Sequence, residues 1–244
     1  RPAMTGYALA RFGSLALVTM VVGCAIGPAP IVVYEDRQAS VWIQYDPEAG
    51  TGHDHPASLT PEQLTGILQG IRVMGRDVIG GFGLSIKDKY GSPAFSPSQM
   101  TMLAPYLSQA MKKASPRDMV TFYLITNDGG VRVTSGGLFH RKGHLYVILA
   151  NARTSPSAVQ YENTYEPNLR DQPLLPIARY KFEVLFDPKD AWIPNSRAKT
   201  QDQYDRSYVD ESKLLVIDLN RMTAQPEPSR ENAPSTPAAS GTRP

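Results

Sequence analysis

One cysteine, Cys24, stands in 244 residues, and a lone thiol excludes any disulfide within the chain. Long apolar runs are missing as well. The longest, Phe12 to Val22, covers about 11 residues, short of the ~20 that a helix needs to cross a bilayer. No stretch is strongly basic: 25 Lys and Arg face 23 Asp and Glu, a formal charge of +2. Arg1 and Arg11 precede Cys24, so the remainder carries 23 basic against 23 acidic residues. A neutral chain lacks the electrostatic footprint of a nucleic-acid binder, and no nucleic-acid partner is expected.

Motifs for covalent or nucleotide chemistry are missing too. "GFGLSIKD" lacks the second glycine of a Gly-x-Ser-x-Gly elbow. "GRDVIGGFG" has neither the Gly-x-Gly-x-x-Gly order nor a Gly-Lys-Ser/Thr ending, so its glycines are expected to serve turns or a bulge. The acidic residues Asp202, Asp205, Asp210 and Glu211 lack the ordered spacing of a calcium loop. No catalytic residue is assigned, and the expectation leans away from an enzyme. What remains is ordinary globular material, 41% hydrophobic and 20% charged, with enough apolar residues for a core.

The N-terminal residues are more informative. One positive charge, Arg11, precedes the apolar run, whose length suits the h-region of a signal peptide. Pro28 and Pro30 follow and would stop a helix. Val21-Val22-Gly23-Cys24 closes the run and resembles the lipobox of bacterial lipoprotein signal peptides. The resemblance covers only the first 24 residues. It implies cleavage after Gly23, diacylglycerol on the Cys24 thiol and acylation of the new amino group. It also implies a cell-envelope protein, held in the outer membrane and facing the periplasm by analogy with enterobacterial sorting, because Ala25 rather than aspartate follows the cysteine. Each buried CH₂ contributes about 0.8 kcal/mol, and two or more acyl chains anchor stably where one does not. The alternative for the same residues is a plain secretory signal or an uncleaved anchor, with Cys24 incidental.

Four regions are expected: signal peptide 1–23, lipidated cysteine and linker 24–30, one α+β domain 31–221, and a disordered Pro-rich tail 222–244. The tail lacks aromatic and aliphatic β-branched residues and cannot offset its ordering entropy. Within the domain, Thr60-Pro61-Glu62-Gln63 and Ser96-Pro97-Ser98-Gln99 are capping boxes that open two helices. Leu64, Ile67, Leu68 and Ile71 form one apolar face, and Met100, Leu103, Leu107, Ala110 and Met111 the other. Pro105 predicts a kink in the second helix.

Five to seven strands follow the same logic. Val41, Ile43 and Tyr45 alternate with polar neighbours, as do Tyr180, Phe182, Val184 and Phe186. Further strands are expected at Met119 to Thr126, Val131 to Ser135, Leu138 to His140, His144 to Asn151 and Leu214 to Leu219, and one more inside "GRDVIGGFGLSIKDKYG". Arg141-Lys142-Gly143 is taken as a three-residue hairpin loop. That places Phe139 with Leu145, Val147 and Leu149, and Leu138 with Tyr146 and Ile148. The fold expected is an antiparallel meander with both helices packed on one face.

Two sets of residues are candidate sites. All four histidines fall into pairs, His53/His55 and His140/His144, and the hairpin loop would set the second pair face to face at about 5 Å. Brought together they would make a tetrahedral site for zinc, provided that the 53–55 loop reaches the hairpin. Otherwise they are solvated polar pairs in turns. The second set is aromatic: Tyr161, Tyr165, Trp192, Tyr204 and Tyr208 lie in two long connections, 152–177 and 187–212. Loop aromatics suit a recognition surface for an envelope partner, or else they fold back to cover the sheet.

Overall fold

Strands with apolar residues on both faces make up most of the molecule. The computed structural model describes residues 28–75, 91–127, 129–156, 169–177, 182–202 and 210–223. Among these, ten strands and four α-helices form in the order β1 (Ile31–Glu35), β2 (Ala39–Tyr45), α1 (Pro61–Gly70), β3 (Ile71–Gly75), β4 (Ser92–Pro93), α2 (Pro97–Lys113), β5 (Asp118–Thr126), β6 (Arg132–Arg141), β7 (His144–Thr154), β8 (Phe182–Phe186), β9 (Trp192–Ile193), α3 (Asn195–Asp202), β10 (Leu214–Asp218) and α4 (Leu219–Thr223). The large sheet has the order β1-β2-β5-β6-β7-β10-β9, and a small one the order β4-β3-β8. All their pairings are antiparallel. The architecture is α+β and mostly sheet, as expected, with the small sheet as an addition.

Local chemistry starts both long helices as read. Gln63 N donates to Thr60 Oγ1 at 3.2 Å while Thr60 N donates to Gln63 Oε1 at 2.8 Å. Ser96 and Gln99 repeat the exchange at 3.3 and 2.8 Å. Each exchange satisfies two amides that the helix itself leaves orphaned. α2 runs on through Pro105. Its buried Leu103, Leu107, Ala110 and Met111 join Leu64, Ile67 and Leu68 of α1 over Val41, Ile43, Val120 and Phe122 of the large sheet. Phe182, Val184 and Phe186 of β8 belong to that same core, so one apolar interior serves both sheets. The opposite face of the large sheet holds a second cluster, Met119, Phe139, Tyr146, Ile148 and Val216, covered by Ile193 and Ala198.

Several expectations are corrected. The apolar face of α1 does not extend to Ile71, which begins β3. Gly70 ends the helix against β8: a Cβ there would lie 2.4 Å from the Asp187 carbonyl, and Asp187 N donates to Gly70 O at 3.0 Å. β2 does not alternate, since Ala39 to Ile43 are all buried and Tyr45 is 39% exposed. The 187–212 connection is not a plain loop, because it contains β9, α3 and 3₁₀ turns at Lys189–Ala191 and Glu211–Lys213. The strand expected in 75–91 lies almost wholly outside the described residues, as do residues 1–27 and 224–244.

The central hairpin carries the largest correction. β6 is one strand, not two, and passes straight through Gly136 and Gly137. A Cβ on Gly136 would lie 2.0 Å from Ile148 O of β7, and one on Gly137 2.5 Å from Met119 Sδ. The two glycines mark close approach, not a break. The turn is two residues long, Lys142 and Gly143 at φ 50° and 80°, so that Arg141 pairs with His144 and Phe139 with Tyr146. One residue of register exchanges the faces. Phe139 therefore sits with Tyr146 and Ile148, and Leu138 with Leu145 and Val147.

Replacing Gly136 with alanine is expected to cost roughly 2–3 kcal/mol by overpacking against the β7 backbone. Gly66 in α1 has open space around its Cα, and Gly66→Ala should stabilise by about 1 kcal/mol through helix propensity. Urea unfolding midpoints moving in opposite directions would bear out the close approach. A Gly136→Ala protein as stable as wild type would contradict it.

Candidate functional site

Between β2 and α1 the chain has little regular structure, yet its backbone is tied down along its length. Asp46 N donates to Arg117 O at 2.8 Å, His53 N to Pro116 O at 2.8 Å, Asp54 N to His140 O at 2.8 Å and Ala57 N to Met111 O at 2.9 Å. These acceptors lie just ahead of β5, on β6 and on α2, so the segment straps across one end of the large sheet. The reach from the 53–55 loop to the hairpin therefore exists.

Arg141 secures the strap from beneath. Its buried guanidinium donates from Nη1 to Ala49 O at 3.2 Å and to Gly52 O at 3.1 Å, and from Nη2 to Thr51 Oγ1 at 3.0 Å. A planar fork meets several acceptors of one loop in a way that a lysine ammonium does not. On the outer side the Asp54 carboxylate accepts from Lys142 N of the hairpin turn.

Two histidines are sealed under this strap, so the reading of all four as solvated polar pairs fails for His53 and His55. His53 and Asp46 meet at 2.7 Å between Nε2 and Oδ2, with side chains 0% and 1% exposed. With Asp46 ionised, the proton of this contact is assigned to Nε2, because a carboxylate only accepts. The His53 ring stacks on Phe139 at 4.1 Å between centroids, and Phe139 stacks on Tyr146 at 4.8 Å. His55 stands edge-on to His53 at 5.9 Å. Both His55 ring nitrogens and His53 Nδ1 are buried without a hydrogen-bond partner among the described residues. Burial, then the nearby His53 and His140, push the His55 pKa down to about 4, while Asp118 and the Met111 backbone pull it the other way.

The four histidines are not brought together as expected. In the observed register His140 pairs with Leu145 and His144 with Arg141, so the two project from opposite faces of the hairpin. His140 Nδ1 approaches the Asp54 carbonyl at 3.3 Å. No group of three His, Cys, Asp or Glu side chains is disposed to hold a metal ion among the described residues.

The aromatic set divides as well. Tyr161, Tyr165, Tyr204 and Tyr208 lie outside the described residues, and so do Asp205, Cys24 and the lipobox residues Val21, Val22 and Gly23. Trp192 is half-buried in β9, where it pairs with Ile217 and packs against the main core. It covers the sheet. Asp210, one of the acidic residues that lack calcium-loop spacing, caps the second 3₁₀ turn by accepting from Ser212 N at 2.9 Å.

Three buried charged groups escaped the sequence reading: Asp46, Arg141 and Lys213. Lys213 Nζ donates to Ala150 O at 3.3 Å and lies 4.8 Å from the centre of the Phe182 ring, joining β7 to β8. Burial lowers its pKa, and Asp210 counters part of that effect. Only the neighbours that burial supplies distinguish these groups from surface charges, and those neighbours are distant in sequence.

No family model matches the chain, and comparison with curated proteins and with solved structures finds no match either. The strap is therefore read from its geometry alone. It presents an enclosed His53–Asp46 pair whose side chains are at most 1% exposed, and its backbone ties it to the end of the sheet.

In the unfolded chain His55 titrates near 6.5, and in the folded one near 4. The unfolded state thus takes up the proton first, and stability present above pH 6.5 drains away as pH falls towards 4. The shift corresponds to roughly 3 kcal/mol. Urea unfolding between pH 7.5 and 4 should show this extra loss in wild type relative to His55→Leu. Parallel pH profiles for the two proteins would count against a neutral buried His55.

Proposed function

We propose that the chain is a lipid-anchored cell-envelope protein that binds or scaffolds a partner and does not catalyse. The observation that carries this reading is Val21-Val22-Gly23-Cys24 at the end of an apolar run of about 11 residues, which suits a cleaved and acylated N-terminus. β1 begins at Ile31, seven residues beyond Cys24, so acylation there would hold the sheet close to a membrane surface. Among the described residues no helix is long and apolar enough to cross a membrane, and the tether assigned to Cys24 requires none. The sealing of the His53–Asp46 pair favours binding over chemistry. The location that goes with this reading is the outer membrane, facing the periplasm, with an envelope protein as partner and no nucleic acid.

A second reading, a metal-binding protein or metal-dependent envelope hydrolase, draws on one observation: the unpartnered ring nitrogens of His53 and His55. In full it would use His53, His55, His140 and His144, but among the described residues no three such side chains are disposed to hold a metal ion, so the two buried histidines alone support it.

Detergent-phase partitioning and intact mass of wild type beside Cys24→Ser test the first reading. Wild type should enter the detergent phase and carry acyl mass, and the variant should do neither. Two aqueous proteins with a free thiol in wild type would sink it. Metal analysis of untagged protein tests the second. Stoichiometric zinc lost in both His53→Ala and His140→Ala would displace the scaffold reading, and metal-free protein with unchanged stability in zinc would remove the alternative.

A further inference from the structure

At the end of the large sheet that β6 enters and β7 leaves, the hairpin carries a bulge. Val133 pairs with Thr154 and Ser135 with Asn151, so β7 holds one residue more than β6 between them. In that stretch Arg153 has a left-handed φ of 49°, a conformation that a residue with a Cβ disfavours. Its amide donates to Thr134 Oγ1 at 3.1 Å, which pins the bulge. Bulges re-aim side chains, and strained non-glycine residues persist where the surroundings impose them, often at ligand sites.

Arg153 is aimed beside Arg132, the first residue of β6. Both line two adjoining clefts of about 370 Å³ each. One arm runs along Val73, Ser92 and Ser155, and the other passes Thr126 and the first turn of α2 at Ser96 and Gln99. Among the described residues no acidic side chain lines either arm. Among the described residues neither guanidinium has a hydrogen-bond or ion-pair partner, in contrast to Arg141 and Arg170 of the same chain. Two like charges thus line the same clefts, and the bulge pinned by Thr134 places one of them there at a cost in backbone strain.

We propose that this cleft is an anion site that takes a phosphate group between Arg132 and Arg153, with the body of the ligand along one arm. Phosphate suits the pair better than carboxylate does. One arginine fork occupies both oxygens of a carboxylate, whereas a phosphate offers an edge to each of two forks. The hydroxyls of Thr126 and Ser155 supply further donors along the arms. The assignment stands whether or not Cys24 is acylated. It holds equally for a free phosphate compound and for a phospholipid headgroup, which share this chemistry.

Calorimetric titration of the full chain with inorganic phosphate, pyrophosphate and glycerol 3-phosphate tests it. At least one probe should bind saturably. Tighter binding of glycerol 3-phosphate than of the inorganic ions points to a headgroup, and the reverse order to a free phosphate compound. Arg132→Gln and Arg153→Gly should each weaken binding about tenfold or more. Because glycine accepts a φ of 49° without strain, Arg153→Gly should melt at the same temperature as wild type or higher, which separates lost binding from lost folding. Saturable binding by none of the three probes, or wild-type affinity in either variant, overturns the proposal.

Discussion

The stacking of His53 on Phe139 on Tyr146 is the interaction that most of this structure depends on. It exists only because β6 and β7 pair in the register that sets Phe139 opposite Tyr146. That register follows from the two-residue turn at Lys142-Gly143 and from the absence of side chains at Gly136 and Gly137, which lets the strands approach. An aromatic pair of this kind contributes about 0.5–1.5 kcal/mol beyond its buried area. Its larger effect is to seat the 46–59 strap. With His53 on the ring, its Nε2 meets Asp46, Arg141 reaches three acceptors of the loop, and the end of the sheet is closed.

The strap is a polar network in a buried place, and such networks stabilise only when their members are satisfied. Here Arg141 and Asp54 meet their partners, while His55 and one nitrogen of His53 do not. The unmet nitrogens belong to groups whose neutral form has a modest desolvation cost, and burial keeps His55 neutral. The clamp therefore holds near neutral pH and weakens in acid. The binding we propose lies elsewhere, through an acylated Cys24 and at the Arg132–Arg153 cleft, at the opposite end of β6 from Arg141. In that division, rigid closure at one end of the sheet leaves the other end free to carry a strained bulge.

Features encoded within a few residues were legible in the sequence. Both capping boxes form as read, because a hydroxyl and a glutamine three positions apart suffice to build one. The strands at 119–126, 144–151 and 182–186 were visible in their apolar pattern, as was the α+β class. Where a residue type admits two physical readings, the sequence does not choose. Gly136-Gly137 signals a turn or a close approach, and only Ile148 O and Met119 Sδ decide between them. Lys142 gives no local sign of a left-handed φ, so the sequence implies a hairpin loop one residue too long and with it the opposite faces. The burial of His53 and the role of Arg141 depend on partners about 90 residues apart, beyond any local pattern. The same holds for the pairing of β3 with β8.

The register of the central hairpin decides whether the histidines form a sealed clamp or two facing ligand pairs. Solution NMR reads it directly, through proton–proton contacts among identified rings. In the observed register, contacts from Phe139 to both Tyr146 and His53 are expected, with His140 and His144 showing none to each other. Contacts between His140 and His144, with Phe139 against Leu145 or Val147, would contradict it.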